Sequence, residues 1–152
     1  MGTYYKMNHV AAAQGKPVVW IAIVVPIELL KGFDLVVAVP ENHSAMIAAK
    51  KRGVLQAEAA EERGFSMDLC SYARIDLGTY FKKGEGSPSK GLPEPDLLIS
   101  NNNNCSLLVK WFDVYHRIKD VPHFNLDVPF CYDPQREQDL KYIVNQFREL
   151  IE

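Results

Sequence analysis

Short, almost continuous apolar runs alternate along this chain with longer segments that have a helical pattern. The apolar runs are Pro17–Ile23, Asp34–Val39, Leu97–Ser100 and His123–Asp127. Strands that are buried on both faces have this uninterrupted hydrophobicity, and their alternation with helices is typical of a parallel sheet with crossover connections. The sequence therefore predicts a three-layer α/β lobe over residues 1–134, with a mostly parallel sheet of about four strands flanked by helices.

The helical segments have readable start and stop signals, chiefly proline or a capping residue at the start and glycine at the end. The predicted helices are Ile27–Lys31, Glu41–Arg52, Val54–Arg63, a helix capped by Ser66 that runs to about Phe81, a helix capped by Asn103 or Asn104 that runs to Ile118, and Gln135–Ile151. A sheet with helices on both faces corresponds to a Rossmann-like or flavodoxin-like architecture.

Composition excludes several classes of function. The chain has 152 residues, 24% charged residues and a net charge of -2, and its Lys and Arg residues are scattered, so no basic surface for nucleic acid is indicated. The longest apolar stretch, Val18–Leu30, is interrupted by Pro26 and is shorter than the roughly 20 residues that span a membrane. The sequence predicts neither a nucleic-acid partner nor a membrane partner.

The location of the protein is predicted from its N-terminus and its cysteines. No charged and then apolar leader opens the sequence, so secretion is not indicated. Three cysteines, Cys70, Cys105 and Cys131, make an odd count outside any small disulfide framework. We therefore expect a reducing cytoplasm, in which the thiols are free or bound to metal.

Ligand sites in open α/β sheets lie outside the carboxyl ends of the strands. One of these strand ends carries the run PDLLISNNNNCSLLVKWF, in which four asparagines and Cys105 join a strand to a helix. Asparagine suits a tight turn, and a helix N-terminus favours the thiolate form that binds metal or attacks electrophiles. The alternative is that Cys105 is a small buried hydrophobe beside a turn.

A second cysteine has a comparable setting. Cys70 in GFSMDLCSYARIDLG lies near the start of a helix, with Ser71, Tyr72 and Arg74 beside it as groups suited to a negatively charged centre. The spacing of a structural zinc site is not present. A Cys/His nucleophile pair stays open, and the spacing of the candidate bases does not single one out: His43, His116 and His123.

Two acidic residues near strand ends are candidate catalytic groups. Glu28 in PIELL and Glu41 in PENHS are placed where a carboxylate can accept a proton or bind substrate. Each also occupies the first turn of a predicted helix, where glutamate interacts favourably with the helix dipole and needs no further role.

The ordered set of motifs resembles a known family. PENHSAMIAAKKRGV, AEERGFSMDLCSYARIDLG and PDLLISNNNNCSLLVKWFDVYHRIKDVPHFNLDVPF, together spanning most of residues 16–130, are similar to the iron–sulfur subunits of 2-hydroxyacyl-CoA dehydratases and benzoyl-CoA reductases. The resemblance is specific because the CSYAR segment and the NNC segment ahead of a tryptophan-containing helix occur in the family's order.

The resemblance implies a function and a set of partners. Family subunits have two α/β lobes around a [4Fe–4S] cluster held by cysteine thiolates, which implies Cys70 and Cys105 as metal ligands and Ser71, Tyr72 and Asn104 as cluster neighbours. It also implies a homologous second subunit in a heterodimer, an ATP-dependent iron–sulfur activator protein and a CoA-thioester substrate. A single low-potential electron then starts dehydration of an (R)-2-hydroxyacyl-CoA, or reduction of the aromatic ring in benzoyl-CoA reductases.

The chain also departs from the family pattern. Family subunits are longer, and their third cluster cysteine belongs to a second lobe that this sequence lacks, so residues 135–152 are expected to connect to that lobe. The family pattern does not assign Cys131, which we interpret as structural. An accessory lobe of the same ancestry without a working cluster is the alternative. The sequence does not choose between dehydratase and reductase.

Overall fold

The computed structural model describes residues 2–130 and 136–152 and confirms the predicted fold class. Its four strands form one sheet, in the order β2-β1-β3-β4, and every neighbouring pair is parallel. The elements in chain order are α1 Gly2–Ala13, β1 Val18–Ile21, α2 Ile27–Leu30, β2 Val36–Ala38, α3 Pro40–Ala49, α4 Gly53–Glu61, α5 Ser71–Phe81, β3 Leu97–Asn101, α6 Ser106–Lys119, β4 His123–Leu126 and α7 Glu137–Ile151.

The strands form where the apolar runs predict them. All four residues of β1 are buried, because β1 lies between two other strands and is covered by helices. Its register pairs Trp20 with Ala38 of β2 and with Leu98 of β3. Since the strands are parallel, their carboxyl ends lie at one edge of the sheet, and the loops that follow them open at that edge.

Aromatic side chains join the helices to the sheet. The ring of Tyr115 in α6 lies 4.9 Å from the ring of Trp20 in β1 and 5.7 Å from that of Tyr80 in α5, both in edge-to-face geometry. Such contacts add to the free energy gained by burying the rings. The C-terminal halves of α5 and α6 are therefore packed against each other and against β1.

The helix boundaries differ from the prediction at α5. Ser66 does not cap this helix: its hydroxyl accepts the backbone N–H of Asp68 at 3.2 Å, and its carbonyl accepts the N–H of Leu69 at 3.1 Å. These bonds close a local turn, and the helix begins only at Ser71 with Cys70 as the N-cap residue. Helix α1 is not among the helices predicted from the sequence.

A buried polar network links α3, α5 and α6. Asp76 accepts a hydrogen bond of 2.6 Å from the Tyr115 hydroxyl, and its other oxygen lies 3.1 Å from Nδ1 of His43. Burial and the nearby carboxylate raise the pKa of Tyr115 well above its ordinary value, so this hydroxyl remains a donor. Because a buried charge needs such partners, the network fixes how the three helices pack.

None of the helices in the described residues is long and apolar enough to cross a membrane.

The C-terminal helix α7 packs on the end of β4. The Gln146 side chain accepts the N–H of Asp127 at 2.7 Å and donates to its carbonyl at 2.6 Å, and Leu150 packs against the core. Gln146 and Leu150 therefore attach helix α7 to the lobe.

Candidate functional site

Two cysteines occupy equivalent positions at the starts of two helices. Cys70 is the N-cap residue of α5, and Cys105 is the N-cap residue of α6. Both are exposed and neither forms a disulfide. The interpretation of Cys105 as a small buried hydrophobe is therefore wrong. Both thiols lie at helix N-termini, where the first backbone N–H groups of a helix have no partner within the helix.

Contacts between elements indicate which edge of the sheet the cysteines occupy. Cys105 lies in the loop that leaves the carboxyl end of β3. The start of α5 is joined to the first half of α3, because the Ser44 hydroxyl donates a hydrogen bond of 2.8 Å to the Tyr72 carbonyl. Helix α3 itself begins directly after β2. Both helix starts thus follow or adjoin the carboxyl ends of strands, the usual location of ligand sites.

The polar residues beside Cys70 do not all remain available. Ser71 and Tyr72 are exposed. The Arg74 guanidinium instead forms an ion pair with Glu61 and donates a 3.0 Å hydrogen bond to the Leu69 carbonyl. Arg74 therefore braces the loop before α5 against α4, and the expectation that it faces a negatively charged centre receives no support.

The asparagine loop is built differently from the prediction. Neither Asn103 nor Asn104 is the N-cap residue of α6, because Cys105 holds that position. Asn102 instead accepts the N–H of Val128 at 2.7 Å and donates to the Asp127 carboxylate. These two bonds tie the loop after β3 to the loop after β4 and so fix the chain that leads to Cys105. Asn104 is exposed and free to face a ligand.

Asn101, the last residue of β3, is an unexpected member of this region. Its side chain is fully buried, and neither the amide oxygen nor the amide nitrogen has a hydrogen-bond partner in the described residues. Leaving such a group unpaired costs about 1–3 kcal/mol. Asn101 lies four positions before Cys105. An asparagine that is kept in a buried strand at this cost suggests that a polar group or water lies beside it.

Of the two acidic candidates, Glu41 is buried and Glu28 is not. One carboxylate oxygen of Glu41 accepts the N–H of Ile23 at 3.0 Å, and the other is buried without a partner in the described part of the chain. Burial raises the pKa of this carboxyl, and the hydrogen bond from Ile23 opposes the rise. Glu28 is exposed in the first turn of α2, which fits its helix-dipole role.

We expect Glu41→Gln to stabilise the fold at neutral pH. Because burial raises the pKa of Glu41 above 4.5, the stability it contributes is fully present below that pH and is lost as the pH rises through the folded-state pKa. Glutamine keeps an oxygen for the Ile23 N–H and removes the charge. Urea unfolding at several pH values should therefore give Glu41→Gln a flatter stability profile than wild type, with its advantage at the high end.

The control for this prediction is Glu28→Gln, which removes an equal charge from an exposed position on the neighbouring helix. It should leave the pH profile close to wild type. A Glu41→Gln variant that loses stability by the same amount at every pH would contradict a role for ionisation.

The candidate histidine bases are engaged in other contacts. The His43 ring is buried and lies 2.9 Å from the Ser89 hydroxyl as well as 3.1 Å from Asp76. His116 lies 2.7 Å from the Val121 carbonyl, and His123 lies 2.8 Å from the Ser100 hydroxyl. These contacts account for the three histidines without a cysteine partner, so a Cys/His nucleophile pair receives no support.

Residues 2–130 and 136–152 contain no group of three or more His, Cys, Asp or Glu side chains that could hold a metal ion by themselves. Cys131 lies outside the described residues. The donor set that this part of the chain offers is therefore two exposed thiols, Cys70 and Cys105. Two soft thiol donors suit iron–sulfur ligation and leave further ligands to be supplied from elsewhere.

Comparison with known proteins identifies the family of this chain. Residues 22–152 match the family model of the 2-hydroxyglutaryl-CoA dehydratase D-component. The chain belongs to this family. The match covers both cysteines, both candidate glutamates and the loops that follow the strands.

Individual relatives cover most of this chain. It is 39% identical to the alpha subunit of (R)-2-hydroxyisocaproyl-CoA dehydratase from Clostridioides difficile and 34% identical to the alpha subunit of lactoyl-CoA dehydratase from Anaerotignum propionicum, over 93% of the chain in each case. It is 27% identical to one of the benzoyl-CoA reductase subunits of Thauera aromatica over 80% of the chain. The aligned regions are 34%, 36% and 28% of those proteins, so the chain spans about a third of their length.

Proposed function

We propose that this chain is one lobe of a 2-hydroxyacyl-CoA dehydratase subunit and that Cys70 and Cys105 are two ligands of a [4Fe–4S] cluster. The observation that carries the proposal is the pair of exposed, unbridged thiols at the starts of α5 and α6. Free cysteine is among the most buried residue types, so two exposed cysteines at helix N-termini call for a role in binding or chemistry.

The residues around the thiols suit a cluster. Ser71 and Tyr72 follow one ligand and Asn104 precedes the other, and all three are exposed. Hydrogen bonds to cluster sulfurs and to thiolate ligands tune the reduction potential, which is the role we propose for these neighbours. The remaining ligands come from a second lobe joined through residues 135–152 or, for one of them, from Cys131.

The cluster, when bound, supplies one-electron reduction of the substrate. The protein's own part is to bind the CoA thioester, exclude water and move protons. We assign proton transfer to Glu41, whose carboxyl has one oxygen held by the Ile23 N–H and a second, buried oxygen without a partner in the described residues. A carboxyl whose pKa is raised by burial is suited to carry a proton.

The relatives favour dehydration over ring reduction. Three relatives with identities of 34% to 39% are named as dehydratase alpha subunits, whereas the relative from benzoyl-CoA reductase is 27% identical. We therefore propose an (R)-2-hydroxyacyl-CoA substrate, a homologous second subunit and an ATP-dependent activator protein as electron donor. A benzoyl-CoA-type substrate and an accessory lobe without a cluster are the alternatives.

Anaerobic reconstitution of the purified chain with iron and sulfide tests this proposal. With two thiolate ligands, we expect less than one cluster per chain and rapid bleaching in air, since such clusters are normally held by three or four cysteines. A stable, full-occupancy cluster would make Cys131 a third ligand. The absence of any iron beyond that of a Cys70→Ser/Cys105→Ser double variant would favour the accessory lobe.

A further inference from the structure

A cavity of about 550 Å³ lies at the far end of α5 from Cys70, beneath the loop of residues 82–96. Its volume is in the range of small-molecule sites. Tyr80 and Phe81, at the end of α5, line the cavity, and Cys70 precedes them by about 15 Å along the helix axis. The cavity is thus separate from the proposed cluster site, and its role does not depend on that proposal.

Three cationic side chains line this cavity: Arg63, Lys83 and Lys90. All three are exposed, and none forms an ion pair with a carboxylate of the described residues. Two carboxylates also line the cavity, Glu94 and Asp76. Glu94 forms an ion pair with Lys119, and buried Asp76 accepts the Tyr115 hydroxyl at 2.6 Å and lies 3.1 Å from His43. Uncompensated cations around a concave site attract an anion.

The backbone of this loop places two of these cations, Lys83 and Lys90, at the same cavity. Gly84 and Gly91 have positive φ angles, and a Cβ on Gly84 would lie 2.1 Å from the Lys90 carbonyl oxygen. This approach of the two glycine backbones closes the base of the loop and brings Lys83 and Lys90, which precede them, to the same cavity. Only glycine permits so close a contact.

Both lysines adopt backbone conformations that are unfavourable for their residue type. Lys83 has a φ of 51° and Lys90 a φ of 60°, values in the left-handed region. Glycine or asparagine adopts this region more easily, and a bulkier residue loses roughly 1 kcal/mol or more there. For Lys83 the end of α5 accounts for this conformation, because its N–H donates to the Tyr80 carbonyl at 2.9 Å as in other helix terminations. Lys90 is therefore the position at which a lysine is kept despite the cost.

The wall of the cavity is aromatic. Tyr80 and Phe81 are partly exposed there, and the Arg63 guanidinium lies 5.2 Å from the centre of the Phe81 ring. A half-exposed aromatic wall stacks on planar rings, and a guanidinium beside two ammonium groups suits phosphate oxygens. A mononucleotide combines one planar ring with phosphate and matches both features.

We propose that this cavity binds a nucleotide, with Arg63, Lys83 and Lys90 on the phosphates and Tyr80 and Phe81 against the base. Calorimetric titration with ADP, adenosine and inorganic phosphate tests the proposal. ADP should bind at least tenfold more tightly than adenosine or phosphate alone, because only ADP uses both parts of the site. Its affinity should fall with added salt, since the phosphate contacts are exposed.

The decisive variant is Arg63→Gln/Lys83→Gln/Lys90→Gln, which should weaken ADP binding at least tenfold with an unchanged thermal melt. The matched control, Lys6→Gln/Lys50→Gln/Lys110→Gln, removes the same charge from exposed positions that do not line the cavity and should change the affinity less than twofold. Failure of ADP to bind at about 1 mM, or equal weakening in both triple variants, would overturn the proposal.

The same titration with coenzyme A shows whether the site binds a free nucleotide or the nucleotide portion of a coenzyme. Affinity for coenzyme A that equals that for ADP, with the same loss in the cavity variant, would assign the site to the nucleotide portion of a coenzyme. Tight binding of ADP with weak binding of coenzyme A would assign it to a free nucleotide. Both results support the site, and both can be read without a reconstituted cluster.

Discussion

Cys105→Ser is expected to abolish iron binding while leaving the fold as stable as wild type or slightly more stable. Cys105 is exposed at the N-cap position of α6, where no side chain bonds a backbone N–H of the helix. Serine is a preferred N-cap residue and stabilises a helix by about 1 kcal/mol relative to residues that do not cap. It lacks the soft thiolate that iron requires, so reconstituted iron should fall to background.

Thermal melts and iron content of the same samples check this expectation. Asn104→Ala is the control, because Asn104 is exposed and is not the cap of α6. We expect it to change the free energy of unfolding by no more than about 0.5 kcal/mol and to keep most of the iron. A Cys105→Ser variant that melts much lower than wild type and retains its iron would make the cysteine structural.

Gly78→Ala is expected to destabilise the fold by about 3 kcal/mol, although alanine normally stabilises a helix by about 1 kcal/mol relative to glycine. Gly78 lies in α5 against the backbone of α4. A Cβ at this position would lie 1.7 Å from the Gln56 carbonyl oxygen and 2.6 Å from its carbon. Backbone atoms cannot move aside like a flexible side chain, so α4 and α5 must separate.

Urea unfolding of Gly78→Ala measures this effect, with Gly32→Ala as the matched control. No atom lies within 4 Å of a Cβ built on Gly32, so alanine there should change the free energy of unfolding by less than about 1 kcal/mol. Because Cys70 is the N-cap residue of α5, Gly78→Ala should also lower iron binding. A Gly78→Ala variant as stable as wild type would contradict the close packing of the two helices.

Much of the fold is predictable from local patterns. The four strands follow from runs such as Val18–Ile21, because hydrophobic period and length alone separate a buried strand from a helix. The position of Cys105 after a strand and before a helix follows from the same local signals. The parallel order of the strands follows from the helical crossovers between them.

The structure differs from the sequence-based prediction where a side chain has more than one possible partner. Ser66 has the chemistry of a helix cap, yet it bonds Asp68 within a turn, and Asn102 bonds residues that are distant in sequence. The pairing of His43 with Asp76 joins positions 33 residues apart. No spacing rule connects such residues, because only tertiary packing brings them together.

The buried polar atoms of the site were also beyond sequence reasoning. From the sequence, Glu41 is a candidate catalytic group that the helix dipole alone can also explain, and Asn101 is one of four turn residues. What marks both residues is a buried side-chain oxygen or amide without a partner in the described residues. This burial is produced by the surrounding helices, so it can be recognised only in the folded structure. The spread of uncompensated charge around the cavity beneath residues 82–96 likewise depends on the packed loop.

We propose that Cys70 and Cys105 lie close enough together to hold one cluster. A bifunctional thiol reagent whose reach is about one helical pitch, roughly 5.4 Å, tests this most directly when applied to the Cys131→Ser variant without iron. We predict an intramolecular bridge between the peptides that contain Cys70 and Cys105, and its loss when iron and sulfide are supplied first. Recovery of the two cysteines only as separate single adducts would contradict the shared site.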